Sequence, residues 1–95
     1  MEENFSILEK GSIEEIQKKY ERRLEERKFK CIKSSLELKR IIAQYKTITT
    51  YAKIDIRFRQ TGKEEILVRI FIDPSYNITC LLENKAEEIL NKIIK

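Results

Sequence analysis

An α+β fold is what this 95-residue sequence predicts: a long N-terminal helix, a three-stranded antiparallel β-meander and a closing helix, in the order αβββα. Three observations predict it. Apolar residues recur at helical spacing up to about residue 46, the period changes to two from Ile48, and two separate hairpin registers place their apolar residues on one sheet face. The length allows one compact domain and no more.

Residues 1–11 show no periodicity and end at Gly11, which reads as a flexible arm. Ser12 and Glu15 then form a capping box that starts a helix, and Ile13, Ile16, Tyr20 and Leu24 follow along one of its faces. The stripe falters at Arg27 and Lys28 and resumes through Cys31, Leu38, Ile42 and Tyr45, with no Gly or Pro to interrupt it. One helix from 13 to 46 would be roughly 50 Å long at ~1.5 Å per residue, longer than a domain of this size is wide. It must project or bend, and Ser34-Ser35-Leu36-Glu37 offers a second capping box just after a break near residues 30–34. This divides the domain into a basic helical extension, 12–33, and a compact core, 34–95.

From Thr50 the residues Ala52, Ile54, Ile56 and Phe58 alternate with Tyr51, Lys53, Asp55, Arg57 and Arg59, a strand buried on one face. A second strand carries Ile66, Val68, Ile70 and Ile72. An odd-length connection centred on Gly62 pairs Phe58 with Ile66, Ile56 with Val68, Ile54 with Ile70 and Ala52 with Ile72, and sets Arg59 opposite Glu65 and Asp55 opposite Arg69. Asp73-Pro74-Ser75 is a turn signal leading to a third strand with Ile78, Cys80 and Leu82 inward. Asn84 with Glu87 caps the last helix, whose stripe is Ala86, Ile89, Leu90, Ile93 and Ile94.

The composition argues against chemistry. The chain has no histidine, no phosphate-cradling glycine loop and two distant cysteines, Cys31 and Cys80, which read as free thiols. No catalytic residue, metal site or cofactor is expected, so the reading is a non-enzymatic binding module. With an acidic start and no long apolar run, the expected compartment is the cytoplasm, away from the membrane.

Charge is uneven. Residues 12–46 hold 11 basic and 6 acidic residues, net +5, against 8 and 7, net +1, for residues 47–95. The outward sheet face interleaves Lys53, Arg57, Arg59, Arg69 and Phe71, and the first helix and its end supply Arg22, Arg23, Arg27 and Lys30. Cations and rings on a flat sheet suit RNA or another nucleic acid, with cations on phosphates and rings against bases. The alternative is an ordinary solvated face neutralised by Asp55 and Glu65. The helical stripe Ile13, Ile16, Tyr20 and Leu24 exceeds what three strands can cover and reads as an interface for a protein partner or a homodimer.

Residues 37–94 resemble the smaller Alu-domain protein of the signal recognition particle, through Ala43-Gln44-Tyr45, Arg57-Phe58-Arg59-Gln60-Thr61-Gly62, Asn77-Ile78-Thr79-Cys80-Leu81-Leu82 and Lys85-Ala86-Glu87-Glu88-Ile89. That resemblance implies an αβββα fold and RNA contacts at Lys53, Arg57, Arg59 and Arg69. The same residues are similar to the globular heads of kinetochore coiled-coil subunits, which implies a protein-interaction role. A small phage-type inhibitor docking on a larger protein is a third class.

Overall fold

The computed structural model describes residues 3–46, 50–76 and 85–94. Their order is β1 (Glu3–Lys10), α1 (Ile13–Glu26), β2 (Lys30–Ser35), β3 (Arg40–Lys46), β4 (Thr50–Gly62), β5 (Glu65–Tyr76) and α2 (Lys85–Ile94). All five strands form one antiparallel sheet, ordered β1-β5-β4-β3-β2. Both helices contribute to a core on one face of that sheet, where Ile16, Tyr20 and Leu24 of α1 and Ile89, Leu90 and Ile93 of α2 meet the alternate residues of β3, β4 and β5. Among the described residues no helix packs on the other face. The αβββα expectation is therefore corrected to a five-stranded sheet covered on one side by two helices.

Each departure has a local cause. Residues 3–10 are no loose arm: Phe5, Ile7 and Glu9 alternate inward while Asn4, Ser6 and Leu8 point out, and the strand pairs with β5 from Glu3↔Ile72 to Lys10↔Glu65. Ser12 does cap α1, its hydroxyl accepting from the Glu15 amide at 3.2 Å. The helix stops at Glu26 without a glycine. Lys28 takes the left-handed conformation (φ 65°), and the Phe29 amide donates to the Leu24 carbonyl at 2.8 Å while the Lys28 amide donates to Glu25 at 3.2 Å. This is the Schellman arrangement, closed by the buried pair Leu24 and Phe29.

Residues 30–46, expected as helix, are the hairpin β2–β3. Ile41 and Ala43 are buried toward the helices, while Ile42 and Gln44 lie on the other face, a period of two that the run of apolar residues conceals. The second capping box is a turn: the Ser35 hydroxyl accepts from the Leu38 amide at 3.1 Å, and Lys39 turns the chain at φ 55°.

The β4–β5 hairpin keeps the expected faces and loses the expected register. Partners are Phe58↔Val68, Ile56↔Ile70, Ile54↔Ile72, Arg57↔Arg69 and Arg59↔Leu67, two residues away from the sequence reading, because an irregularity between Gln60 and Gly62 precedes the tight turn at Lys63 and Glu64. Asp73-Pro74-Ser75 continues β5, with Pro74 opposite Ala52. The third strand expected through Ile78, Cys80 and Leu82 and the Asn84 cap fall outside the described residues.

The apolar stripe on α1 is not an interface. Ile16, Tyr20 and Leu24 are buried in the chain's own core and Ile13 packs against it, because five strands offer the area that three could not. Beneath Tyr20, whose ring meets Phe58 edge-on at 5.8 Å, the hydroxyl donates to Glu9 Oε2 at 2.7 Å, and Lys19 Nζ reaches Glu9 Oε1 at 3.1 Å.

Candidate functional site

The open sheet face carries the site, and the register builds it. Ser6, Arg69, Arg57, Arg40 and Ser35 are successive partners across β1, β5, β4, β3 and β2, so three arginines stand side by side in one cross-strand row. Directly opposed side chains in such a row have Cβ atoms about 5 Å apart, and like charges there repel. The next row runs Asn4, Phe71, Asp55, Ile42 and Lys33.

Asp55 offsets the repulsion. Arg40 donates to it through Nε at 2.9 Å and Nη2 at 2.6 Å, a forked pairing that raises the Arg40 guanidinium above its ordinary value, and Arg57 Nη2 donates at 3.2 Å. Phe71 supports the other two arginines: the Arg57 guanidinium lies 4.7 Å and that of Arg69 5.4 Å from its ring centroid. Arg69 makes no ion pair with Asp55. Beside this row a shallow groove of about 430 Å³ is lined by Leu38, Lys39, Arg40, Arg57, Arg59 and Arg69, together with Phe58. Lys39 carries the β2–β3 turn over the end of the row, its carbonyl accepting from the Phe58 amide at 2.9 Å. From below, Gln17 of α1 braces the hairpin, its Nε2 donating to Ser34 Oγ at 3.1 Å and to the Arg40 carbonyl at 3.4 Å, while Ser34 donates to Glu21.

The sequence-predicted residues divide between two places. Arg57, Arg59 and Arg69 come together at the groove, with the ring of Phe71 against Arg57 and Arg69. Lys53 lies two rows on, opposite Gln44, and Lys30 is in the same row on β2 rather than on a helix. Arg22 and Arg23 are on α1 and Arg27 is its C-cap, across the sheet from the groove. Arg23 donates to the Ile94 carbonyl at 3.3 Å and Arg27 to that of Lys92, which satisfies the last turn of α2 instead of presenting a basic surface. Sequence reasoning missed Arg40, assigned there to a helix, and gave Asp55 the wrong partner. A signal was present: Ile41, Ala43 and Tyr45 alternate with Arg40, Ile42 and Gln44.

Other chemistry is sparse. Among the described residues no group of three or more Cys, Asp or Glu side chains converges to hold a metal ion. No described helix is long and apolar enough to cross a membrane. Cys31 is partly buried, and burial followed by the nearby Glu21 and Glu25 charges pushes its thiol up, away from nucleophilic use.

No family model and no curated protein matches the sequence. Solved structures do match the fold. One is described as the crystal structure of the adenylate sensor from AMP-activated protein kinase in complex with 5-aminoimidazole-4-carboxamide 1-β-D-ribofuranotide, with a TM-score of 0.73 and 12% identity over 95% of this chain and 92% of that one. At that identity the likeness concerns the fold alone. The architecture itself corrects the functional expectation. Binding of RNA or another nucleic acid rests on a basic sheet face and a basic helix of an αβββα chain, the kinetochore-like alternative on the same element order, and the inhibitor alternative on size and the lack of catalytic residues alone. The chain is instead built like a protein described as an adenylate sensor, with its sheet cations and helix cations on opposite faces.

Proposed function

We propose that this chain is a non-enzymatic regulatory module that binds a small phosphate-bearing ligand, of the nucleoside monophosphate class, on the arginine row of its open sheet face. The observation that carries the reading is the row itself, Arg40, Arg57 and Arg69 as direct cross-strand partners against the single carboxylate of Asp55. An arrangement whose like charges are only partly offset by Asp55 is poor as structure and apt as a receptor for an anion, and guanidinium forks match phosphate oxygens. The fold's likeness to a structure described as an adenylate sensor in complex with a ribonucleotide supports the ligand class.

The experiment is a calorimetric titration with AMP, inorganic phosphate and adenosine at low salt. AMP and phosphate are expected to bind and adenosine not to. Replacing Arg57 and Arg69 together by Gln is expected to weaken AMP binding by at least about tenfold, and raised salt to weaken it in the wild type. AMP affinity equal to that of adenosine, or unchanged in the double variant, would overturn the reading.

A further inference from the structure

We infer that Asp55 is the residue that sets the charge of the ligand, restricting the site to monophosphates over diphosphates. The inference rests on the anion-binding reading above and concerns how that site discriminates. Asp55 sits between Phe71 and Ile42 in its row, so its carboxylate is held from both sides, with a side chain only 20% exposed. It takes both forked donors of Arg40 and one nitrogen of Arg57. The Nε–Nη2 edge of Arg40 is thereby taken by Asp55. Arg69, which does not pair with Asp55, and the remaining nitrogens of Arg57 are left for a ligand, and both guanidiniums are placed by the ring of Phe71.

The charge count follows from these pairs. Arg40, Arg57 and Arg69 less the neighbouring Asp55 leave +2 where the three guanidiniums meet, with Lys39 and Arg59 farther along the groove, and +2 matches a phosphomonoester of about −1.5 to −2 at neutral pH. A diphosphate would bring its additional charge toward the Asp55 carboxylate, which already holds the Nε–Nη2 edge of Arg40. Asp55 thus acts as a fixed internal anion standing where a second phosphoryl group would otherwise pair. Arg59 lies one row away, opposite Leu67, and lines the groove without contacting Asp55.

The test compares AMP with ADP, without metal, on the full chain. The wild type is expected to bind AMP at least as tightly as ADP despite the lower ligand charge. Asp55→Asn should tighten ADP relative to AMP by about fivefold, the effect of one further exposed charge pair. Asp55→Glu should keep the wild-type ratio. The paired change Asp55→Asn with Arg40→Gln, which returns the row to +2, should also keep it. A wild type that binds ADP about tenfold more tightly than AMP overturns the inference whether or not any variant folds. So does a folded Asp55→Asn whose ratio is that of the wild type. Binding of neither nucleotide by the wild type overturns the anion-binding reading along with it.

Discussion

Tyr20→Phe removes one oxygen from the centre of the helix–sheet interface and leaves everything else in place. The ring is fully buried, so phenylalanine fills the same space and keeps the edge-on contact with Phe58 at 5.8 Å. What is lost is the 2.7 Å hydrogen bond to the Glu9 carboxylate. Bonds to charged groups are worth about 1.5–3 kcal/mol, and Glu9 keeps Lys19 at 3.1 Å with a side chain 17% exposed, which points to the lower part of that range, about 1.5–2 kcal/mol. For a domain of this size that corresponds to a melting point lower by roughly 6–15 °C. Burial by itself raises the Glu9 carboxyl, but the Tyr20 hydroxyl, Lys19 and Arg23 outweigh it and leave the group below its ordinary value. A carboxyl depressed on folding contributes stability above its unfolded value, near 4.5, and loses it as the pH falls through the lower folded value. The difference between wild type and Tyr20→Phe, measured by urea unfolding, should therefore be constant from pH 6 to 8 and shrink toward pH 3. At the alkaline end, burial and Glu9 raise the Tyr20 hydroxyl, so its contribution is full below its unfolded value near 10.0 and fades as the pH rises toward the folded one. A cost below about 0.5 kcal/mol, or one unchanged down to pH 3, would refute the argument. AMP binding should not change, because Tyr20 is on the opposite side of the sheet.

Two further predictions concern the fold. Ile56 is fully buried on the central strand β4, and Ile56→Ala should cost about 2–5 kcal/mol in urea unfolding, part transfer and part cavity. Lys28→Gly should do the reverse: at φ 65° the lysine pays a left-handed penalty that glycine avoids, so the variant should gain about 0.5–1 kcal/mol, read as a higher urea midpoint with an unchanged slope.

The face of each strand was easier to read than its partner, and the two helix caps show how one chemical signal serves two structures. In β4 and β5 the alternation of Ile and charged residues identifies the inward side unambiguously. Ser12 and Ser35 both lend a hydroxyl to an amide three residues ahead, yet one begins a helix and the other a hairpin turn. What separates them lies downstream, in whether the apolar residues follow with a period of 3.6 or of two. Through residues 30–46 isoleucines and leucines fall on both faces, including the exposed Ile32, Leu36 and Leu38, so neither period stands out. The end of α1 was hidden for a different reason. Its C-terminal motif places lysine at the position where glycine is the familiar marker, and the information resides in the burial of Leu24 against Phe29, which is a tertiary fact. Likewise β1 is an edge strand whose inward alternation, Phe5, Ile7 and Glu9, ends on a charged residue and is too short to stand out from a disordered start.

The site depended on the feature that sequence specifies least, the register. Pairing Asp55 with Arg69 and Arg59 with Glu65 makes the open face neutral and ordinary, and that register satisfies every local rule of opposite charges across strands. The actual pairing, displaced by two residues through the irregularity before Gly62, keeps each apolar residue on its face and so costs nothing in the core. It differs only on the open face, where Arg57 meets Arg69 on one side and Arg40 on the other. A displacement of two is invisible to hydrophobic patterning because its period is two, and it is decided by the turn. The charge pattern that then results is the less favourable of the two for an isolated protein, which is the sign of a surface shaped for something outside it. That is also why Asp55, placed so as to moderate the row without cancelling it, is the residue on which the choice of ligand turns.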